Sequence, residues 1–171
     1  MNQAALTQFI RFFTLADDDA TQRLSERLTL VLREPAAYQS QFAEELAERG
    51  MEAALPPQEL RDVALIDALL SEDLLWESDY QDPASDTAEG LNDILEHQGR
   101  SERLRLPPSV ARSAGGPEAL DALQDALEPL GLALVLLTLD SDSYPLSLVA
   151  EGHAEDARRL AKELGFELAV Y

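Results

Sequence analysis

The chain has 171 residues, 46% of them hydrophobic, and its 33 acidic residues against 13 basic ones give a formal charge of −20 at pH 7. This length and apolar content are typical of a folded domain and exclude a chain that is kept disordered by its polarity. The negative charge disfavours nucleic acid and anionic membranes as partners, and the lack of cysteine excludes disulfides, zinc–thiolate sites and cysteine nucleophiles.

The start of the chain carries no sign of an export signal. No basic segment precedes its first apolar patch, and Arg11 interrupts that patch. The longest apolar run, residues 130–139, is about half as long as the ~20 residues of a membrane span. We therefore expect a cytoplasmic protein without a membrane partner.

The first 70 residues are predicted to form amphipathic helices. Apolar residues recur at spacings of three and four, as in Leu6, Phe9, Ile10 and Phe13. An aspartate cluster, prolines and a glycine mark the starts and ends of these segments. The predicted helices span residues 2–15, 20–33, 35–49 and 57–70.

The segment from residue 72 to 83 predicts a short strand or an extended loop. Its apolar run, which ends at Trp76, is too short for a helix and is followed by polar and acidic residues. Asp82 and Pro83 then predict a helix start, with Asp82 as N-cap and Pro83 in the first turn. This helix is expected to end near Gly99.

Charge is distributed unevenly along the chain. Residues 62–96 carry many acidic side chains and neither lysine nor arginine. The segment that follows carries Arg100, Arg103, Arg105 and Arg112. We expect these arginines to lie against the acidic stretch of the same molecule. Leu104 and Leu106 alternate with arginines, which predicts a short strand before Pro107 within an otherwise irregular connection.

The same connection contains a candidate anion site. Arg112, Gly115 and Gly116 precede a predicted helix start at Pro117, and the amides of a helix N-terminus attract anions. The spacing matches neither a phosphate-binding loop nor a dinucleotide fingerprint. An anion site and internal pairing of the arginines are therefore alternative interpretations.

The last third predicts two helices and three strands. The first helix begins at Pro117 and closes at Gly131, the second covers residues 154–164, and the strands cover residues 132–139, 144–149 and 166–171. The first of these strands is apolar at nearly every position, so we expect it in the middle of a sheet, covered on both faces. Pro145 lacks an amide donor, so the second strand is expected at an edge or paired only from Leu146.

These elements predict a fold of class α+β, in which the N-terminal helices pack with a small, mostly antiparallel sheet. A right-handed crossover makes the last strand parallel to the second, with the apolar strand between them, in a C-terminal split β-α-β unit. We expect a single domain over residues 1–171. It would comprise a helical part at about 1–99, an irregular connection at about 100–117 and an α-β-β-α-β part at about 117–171.

The hairpin between the first two C-terminal strands carries Asp140 and Asp142, one residue apart. Aspartate and serine suit a four-residue turn because they form hydrogen bonds with nearby amides. The alternatives are a cation site and a catalytic role, but the run lacks the further ligands and the glycine of an EF-hand loop. We favour the turn.

Two stretches of the chain resemble a known family. The runs LTLDSDSYPLSLV at 137–149 and SEDLLWESDYQDP at 71–83 are similar to a bacterial family known as a domain of unknown function. The similarity covers about the last two-thirds of the chain. It implies a shared fold and no activity, and it leads to the hypothesis that the two stretches meet in space.

If the stretches meet, they form an acidic patch with aromatic neighbours. Its carboxylates are Glu77, Asp79, Asp82, Asp140 and Asp142, and its aromatic residues are Trp76, Tyr80 and Tyr144. Crowded carboxylates raise one another's pKa or recruit a cation, and tryptophan and tyrosine are frequent anchors at interfaces. The competing interpretation places Trp76 in the core, makes Asp82 a helix cap and leaves the other acids solvated.

The sequence contains neither a zinc-protease spacing around His97 and His153 nor a Gly-x-Ser-x-Gly elbow. The leading hypothesis is a non-enzymatic acidic module, without a cofactor, that binds or regulates a partner protein with a basic surface. The alternative is a divalent-cation-binding protein or a cation-dependent enzyme that uses the carboxylates of the patch.

Overall fold

A computed structural model describes residues 2–51, 53–112, 117–139 and 143–171 and has the predicted α+β fold. Helices pack on both faces of a four-stranded antiparallel sheet. Within these ranges, no helix is both long enough and apolar enough to cross a bilayer.

The N-terminal helices begin and end close to the predicted positions. Asn2 caps the first helix by accepting hydrogen bonds from the amides of Ala4 and Ala5, and Asp17 caps the second through the amide of Ala20. These helices are α1 (Gln3–Thr14), α2 (Asp18–Arg33), α3 (Pro35–Gln41), α4 (Ala43–Glu48) and α5 (Pro57–Ser71).

The single helix predicted over residues 35–49 is interrupted at Phe42, where α3 ends and α4 begins. Phe42 has φ −105° and ψ 24°, and its ring stacks on Tyr38 with 4.4 Å between the centroids. The guanidinium carbon of Arg27 lies 4.2 Å from the centroid of the Phe42 ring. Stacking on Tyr38 and the cation–π contact with Arg27 stabilise this position of the ring. The contact with Arg27 depends on the packing of the neighbouring helix α2, which periodicity does not reveal.

From residue 76 onward, the described part of the chain forms the four strands of the sheet and four further α-helices. The elements are β1 (Trp76–Asp79), α6 (Ala84–His97), α7 (Pro108–Ala111), α8 (Pro117–Leu127), β2 (Leu132–Leu137), β3 (Ser143–Ala150), α9 (Ala154–Leu164) and β4 (Leu168–Val170). Gly131 and Gly165 end helical segments with φ of 71° and 96°, in the left-handed region that glycine adopts without strain.

The strand order in the sheet is β1-β3-β2-β4. Because β2 is antiparallel to both β3 and β4, these two strands run parallel to each other, as the crossover predicts. The central position predicted for the apolar strand is confirmed, since β2 lies between β3 and β4. In addition, β1 extends the sheet beyond β3 and forms one of its edges.

The edge position predicted for β3 is wrong, because β3 lies between β1 and β2. Its ladder with β2 ends where Leu136 lies opposite Leu146, so Pro145 lies beyond that ladder. On the other side, Pro145 lies opposite Glu77 of β1. The alternative prediction, pairing only from Leu146, is correct for the β2 side and explains how a strand with proline lies inside the sheet.

The strand β2 separates two apolar cores. Ala133, Val135 and Leu137 belong to the first core, which includes side chains of α1, α2, α5 and α9. Leu132 and Leu134 belong to the second core, with side chains of α6 and α8. Because successive side chains of a strand point to opposite faces, a strand between two helical layers is apolar at nearly every position.

The strand predicted at Leu104 and Leu106 is wrong, because residues 101–107 form no strand. Asn92 of α6 takes the place of a strand partner. Its Oδ1 accepts a hydrogen bond from the amide of Leu104 at 2.7 Å, and its Nδ2 donates to the carbonyl of Leu104 at 3.1 Å. The side chain of Leu104 is buried in the second core.

Candidate functional site

The two stretches that carry most of the candidate residues are neighbours in the sheet. The strand β1 pairs with β3, so that Asp79 lies opposite Ser143. The rings of Tyr80 and Tyr144 lie 4.4 Å apart between their centroids. This contact is on the second-core side of the sheet, because Tyr144 packs against that core.

Asp79 and Asp82 stabilise the turn between β1 and α6. The amide of Asp79 donates to Oδ2 of Asp82 at 3.0 Å, and the amide of Gln81 donates to Oδ1 of Asp79 at 2.9 Å. The helix begins at Ala84 with Pro83 at the N-cap, so the predicted roles of Asp82 as cap and Pro83 as first helical residue are each displaced by one position.

The other acids of the predicted patch are not all in one place. Glu77 lies on the first-core side of β1, where its Oε1 accepts a hydrogen bond from Nη2 of Arg49 at 2.5 Å. Asp140 and Asp142 lie outside the described residues, so their part in the patch stays a prediction.

Trp76 packs on α6 and is half-buried against the second core. Its ring covers Gly90, where an added Cβ would lie 2.1 Å from Cδ2 of the tryptophan. The Nε1 atom of Trp76 is buried and has no hydrogen-bond partner in the described part of the protein. This packing favours the core interpretation of Trp76 over the interface interpretation.

The predicted pairing of the arginine segment with the acidic stretch is wrong in the described ranges. No ion pair is formed there by Arg100, Arg103, Arg105 or Arg112. The guanidinium of Arg103 donates instead to backbone carbonyls of its own loop. Acids of the stretch pair with arginines of the N-terminal helices, as Glu72 does with Arg23 at 2.6 Å.

The candidate anion site is only partly described. Arg112 is exposed and follows the last residue of α7. Gly115 and Gly116 lie outside the described residues, so this site stays a prediction.

Exposed acidic side chains form a row on the outer surface of α6 and another along α8 and the turn after it. Within each row, successive acids lie three, four and three residues apart along the chain. The rows are Asp86, Glu89, Asp93 and Glu96, and Glu118, Asp121, Asp125 and Glu128. We call them together the acidic face. Both helices place their leucines in the second core, so both rows point away from it.

The charge of the acidic face is not compensated within the part of the chain that the structure describes. None of its carboxylates forms an ion pair there. Sequence reasoning noted the acidity of residues 62–96 but missed this surface. The spacing of the acids within the predicted helices is the signal that would have found it.

A cavity of about 590 Å³ lies between α4, α5 and the first-core side of the sheet. We call it the Arg49 pocket, and its charged lining consists of Glu45, Glu48, Arg49, Asp67 and Glu77. Arg49 directly follows α4 and connects two elements. Its Nε donates to Oδ1 of Asp67 in α5 at 2.6 Å, and its Nη2 donates to Glu77 in β1.

Asp67 is the most deeply buried carboxylate of the pocket, with 8% of its surface exposed. Its Oδ2 is buried and has no hydrogen-bond partner among the described residues. Burial raises the pKa of Asp67, and the nearby Arg49 offsets this only in part. Sequence reasoning missed Arg49 and Asp67, although an aspartate inside the apolar helix at 60–70 is a visible signal.

In the described ranges, no three histidine, aspartate or glutamate side chains lie close enough together to hold a metal ion. His97 ends α6, and its Nδ1 donates a hydrogen bond to the backbone carbonyl of Asp93. His153 stacks on Phe12 with 5.1 Å between the ring centroids. The divalent-cation hypothesis combines Asp140 and Asp142 with the acids at 77–82, and it stays a prediction because Asp140 and Asp142 lie outside the described residues.

A family model matches nearly the whole chain. It is described as the domain of unknown function DUF6630 and matches residues 5–171, further than the resemblance seen in the sequence. No curated protein and no solved structure matches the chain.

Proposed function

The chain belongs to the family described as the domain of unknown function DUF6630, and on this premise we propose that it is a non-enzymatic acidic module that binds a partner protein with a basic surface. The lack of cysteine supports a cytoplasmic location. A single domain is supported by β2, which contributes side chains to both cores.

The acidic face is the observation that carries this proposal. Like charges three and four residues apart destabilise a helix by about 0.2–0.5 kcal/mol per pair, and α6 and α8 both carry such pairs. No cation within the described part of the chain forms an ion pair with them. A basic surface would remove this repulsion, and the complementary charges would steer the two proteins together.

Tyr80 and Tyr144 add an aromatic contact surface for the partner protein beside the charged acidic face. Tyr80 is 43% exposed and lies in the turn that leads into α6, at the N-terminal end of the acidic face. Its ring packs on that of Tyr144. Tyrosine combines a large apolar ring with a polar tip, and such residues often supply much of the binding energy at an interface.

The proposal is tested by neutralising one row of the acidic face. The variant Asp86→Asn, Glu89→Gln, Asp93→Asn and Glu96→Gln is compared with a control that neutralises the same number of exposed acids elsewhere: Glu34→Gln, Glu44→Gln, Glu59→Gln and Glu151→Gln. Both variants and the wild type are used as bait in a lysate, at low and at moderate salt. Each recovered protein is then purified and mixed with the bait, and size-exclusion chromatography measures the stoichiometry.

We expect to recover a basic protein that forms a stoichiometric complex with the wild type and with the control. This protein should dissociate at moderate salt and should not bind the α6 variant. Equal binding by the α6 variant and the control would show that the acidic face is not the binding surface. Recovery of basic proteins without fixed stoichiometry would reduce the interaction to general charge attraction.

The cation-dependent alternative has a separate test. Calcium, magnesium and manganese are each titrated against the melting temperature of the protein. A saturable rise with one of them would support a cation site at the Asp140–Asp142 hairpin, because a ligand that binds only the folded state raises its stability. No shift with any of the three would exclude it.

A further inference from the structure

The Arg49 pocket lies on the first-core side of the sheet, away from the acidic face, and its chemistry indicates a second site. We propose that this pocket binds an organic cation, namely an alkylammonium or guanidinium group on a short aliphatic stem. This inference is independent of the proposed partner protein, because it involves other residues.

The charge of the lining selects a cation. Four carboxylates line the pocket, namely Glu45, Glu48, Asp67 and Glu77. Arg49 pairs with two of them, and Arg27 pairs with Glu45, so two negative charges are not compensated by these guanidinium groups. Glu48 is exposed at the rim and forms no ion pair in the described ranges.

Asp67 provides an observation that is independent of this charge count. Both Nε and Nη2 of Arg49 approach the same oxygen, Oδ1, at 2.6 Å. The other oxygen, Oδ2, is buried without a hydrogen-bond partner in the described protein. A buried carboxylate oxygen without a donor leaves the negative charge of Asp67 under-compensated, so a cation held in the pocket beside this residue stabilises it through charge attraction.

The size and the apolar lining of the pocket distinguish an organic cation from a metal ion. A cavity of about 590 Å³ is of the size that holds small organic ligands. Met51, Leu70 and Leu139 also line it and offer apolar contacts to methylene groups. The carboxylates described here do not form a group that would hold a metal ion.

An anion does not fit the same pocket. Arg49 is the guanidinium in its lining, and two of its nitrogens already donate to Asp67 and Glu77. An anion would have to displace one of these carboxylates while the others repel it. This arrangement therefore requires a ligand with a positive charge.

Calorimetric titration of the full chain with agmatine and with n-butylammonium tests the proposal, at constant ionic strength. The neutral probe is 1-butanol, which has the stem but no charge. We expect both cations to bind saturably with one site per chain and 1-butanol not to bind. Glu48→Gln should weaken binding by about threefold, and Glu77→Gln by about tenfold because the charge of the half-buried Glu77 is screened less by solvent than that of the exposed Glu48.

The matched control is Glu34→Gln, which removes the same charge from an exposed position outside the pocket and should leave the affinity unchanged. Equal weakening by Glu48→Gln and Glu34→Gln, or uptake without saturation, would overturn the proposal. Binding of 1-butanol as tight as that of the cations would show an apolar cavity instead. Because Glu48 is exposed, its variant tests the proposal even if Glu77→Gln fails to fold.

A last titration identifies the source of the cation. Blocked arginine and lysine amides carry the same head groups on a peptide backbone. If they bind as tightly as agmatine, the pocket accepts side chains of a polypeptide, and if only the free amines bind, the ligand is a small molecule.

Discussion

Asp67 combines burial, an ion pair and an unsatisfied oxygen in one side chain. Arg49 satisfies Oδ1, whereas Oδ2 has no partner in the described protein. The pKa of this carboxyl is raised because the loss of solvation outweighs the attraction of Arg49. The carboxylate is therefore a source of instability that the fold tolerates at this position.

The protonation of Asp67 should make stability depend on pH. Because its folded-state pKa lies above the unfolded value, the folded state binds the proton more tightly. This stabilisation is complete at acidic pH and is lost as the pH rises through the raised pKa. We expect the free energy of unfolding of the wild type, minus that of Asp67→Asn, to fall as the pH rises above about 4, the ordinary pKa of an aspartate, in urea unfolding experiments. A difference that increases with pH would show that Arg49 dominates over burial.

A glycine is needed at position 90 because the ring of Trp76 lies against it, not because of the backbone conformation at this position. Alanine favours a helix over glycine by about 1 kcal/mol, so an open position in α6 would gain stability from Gly90→Ala. A Cβ at this position would instead lie 2.1 Å from the tryptophan ring. We expect Gly90→Ala to lower the free energy of unfolding by about 1–3 kcal/mol, measured by urea unfolding.

The control for this change is Gly152→Ala. Nothing lies within 4 Å of a Cβ at Gly152, so we expect a change within about 0.5 kcal/mol. A stabilising Gly90→Ala would mean that Trp76 moves away without cost.

At the scale of elements, α6 organises the segment that follows it. Its buried face packs in the second core, its outer face carries acids, and Asn92 holds the loop at Leu104 through two hydrogen bonds. Alternation of leucine and arginine predicts a strand at 104–106, but a strand requires a neighbouring strand to bond with. Here a side chain satisfies both backbone groups of Leu104, and local sequence does not show this.

Asn92→Ala should therefore release the loop. Loss of both hydrogen bonds is expected to lower the free energy of unfolding by about 1–2 kcal/mol, since the backbone N–H and C=O of the buried Leu104 lose their side-chain partner. Hydrogen exchange provides a local measurement, in which the amide of Leu104 loses protection. The amide of Leu134 bonds to Gln124 instead and serves as the control. Unchanged protection at Leu104 would show that Asn92 does not hold the loop.

At the scale of the whole molecule, a formal charge of −20 acts against the folded state through self-repulsion. The acidic face concentrates part of this charge on one helical layer, whereas the described ion pairs of the first-core side, such as Arg49 with Asp67, are partly shielded. Salt screens exposed charges more than shielded ones.

Moderate salt should therefore raise the melting temperature. We expect an increase on the order of 2–4 °C, equivalent to about 1 kcal/mol for a chain of this size, in calorimetric scans from low to physiological ionic strength. The variant with one neutralised row on α6 should show a smaller increase than the variant with Glu34, Glu44, Glu59 and Glu151 neutralised. A melting temperature that falls with salt would show that attractive ion pairs outweigh the repulsion.

Local pattern determined most elements of this protein. The three-and-four spacing located the helices, and the unbroken apolar run placed β2 between two layers, because each follows from the period of the backbone itself. The acidic face is contained in the same pattern, although sequence reasoning missed it, since four acids on one side of a helix remain on one side in any packing.

Only the tertiary structure decided the contacts between distant residues. Arg49 meets Asp67 and Glu77, which lie 18 and 28 residues further along the chain, because α4, α5 and β1 pack around one cavity. The same holds for β1 beside β3, which moved the proline strand from the edge to the interior. Such contacts depend on how whole elements pack. Asp67 is buried, and the pKa of its carboxyl is raised, only after these elements have packed together.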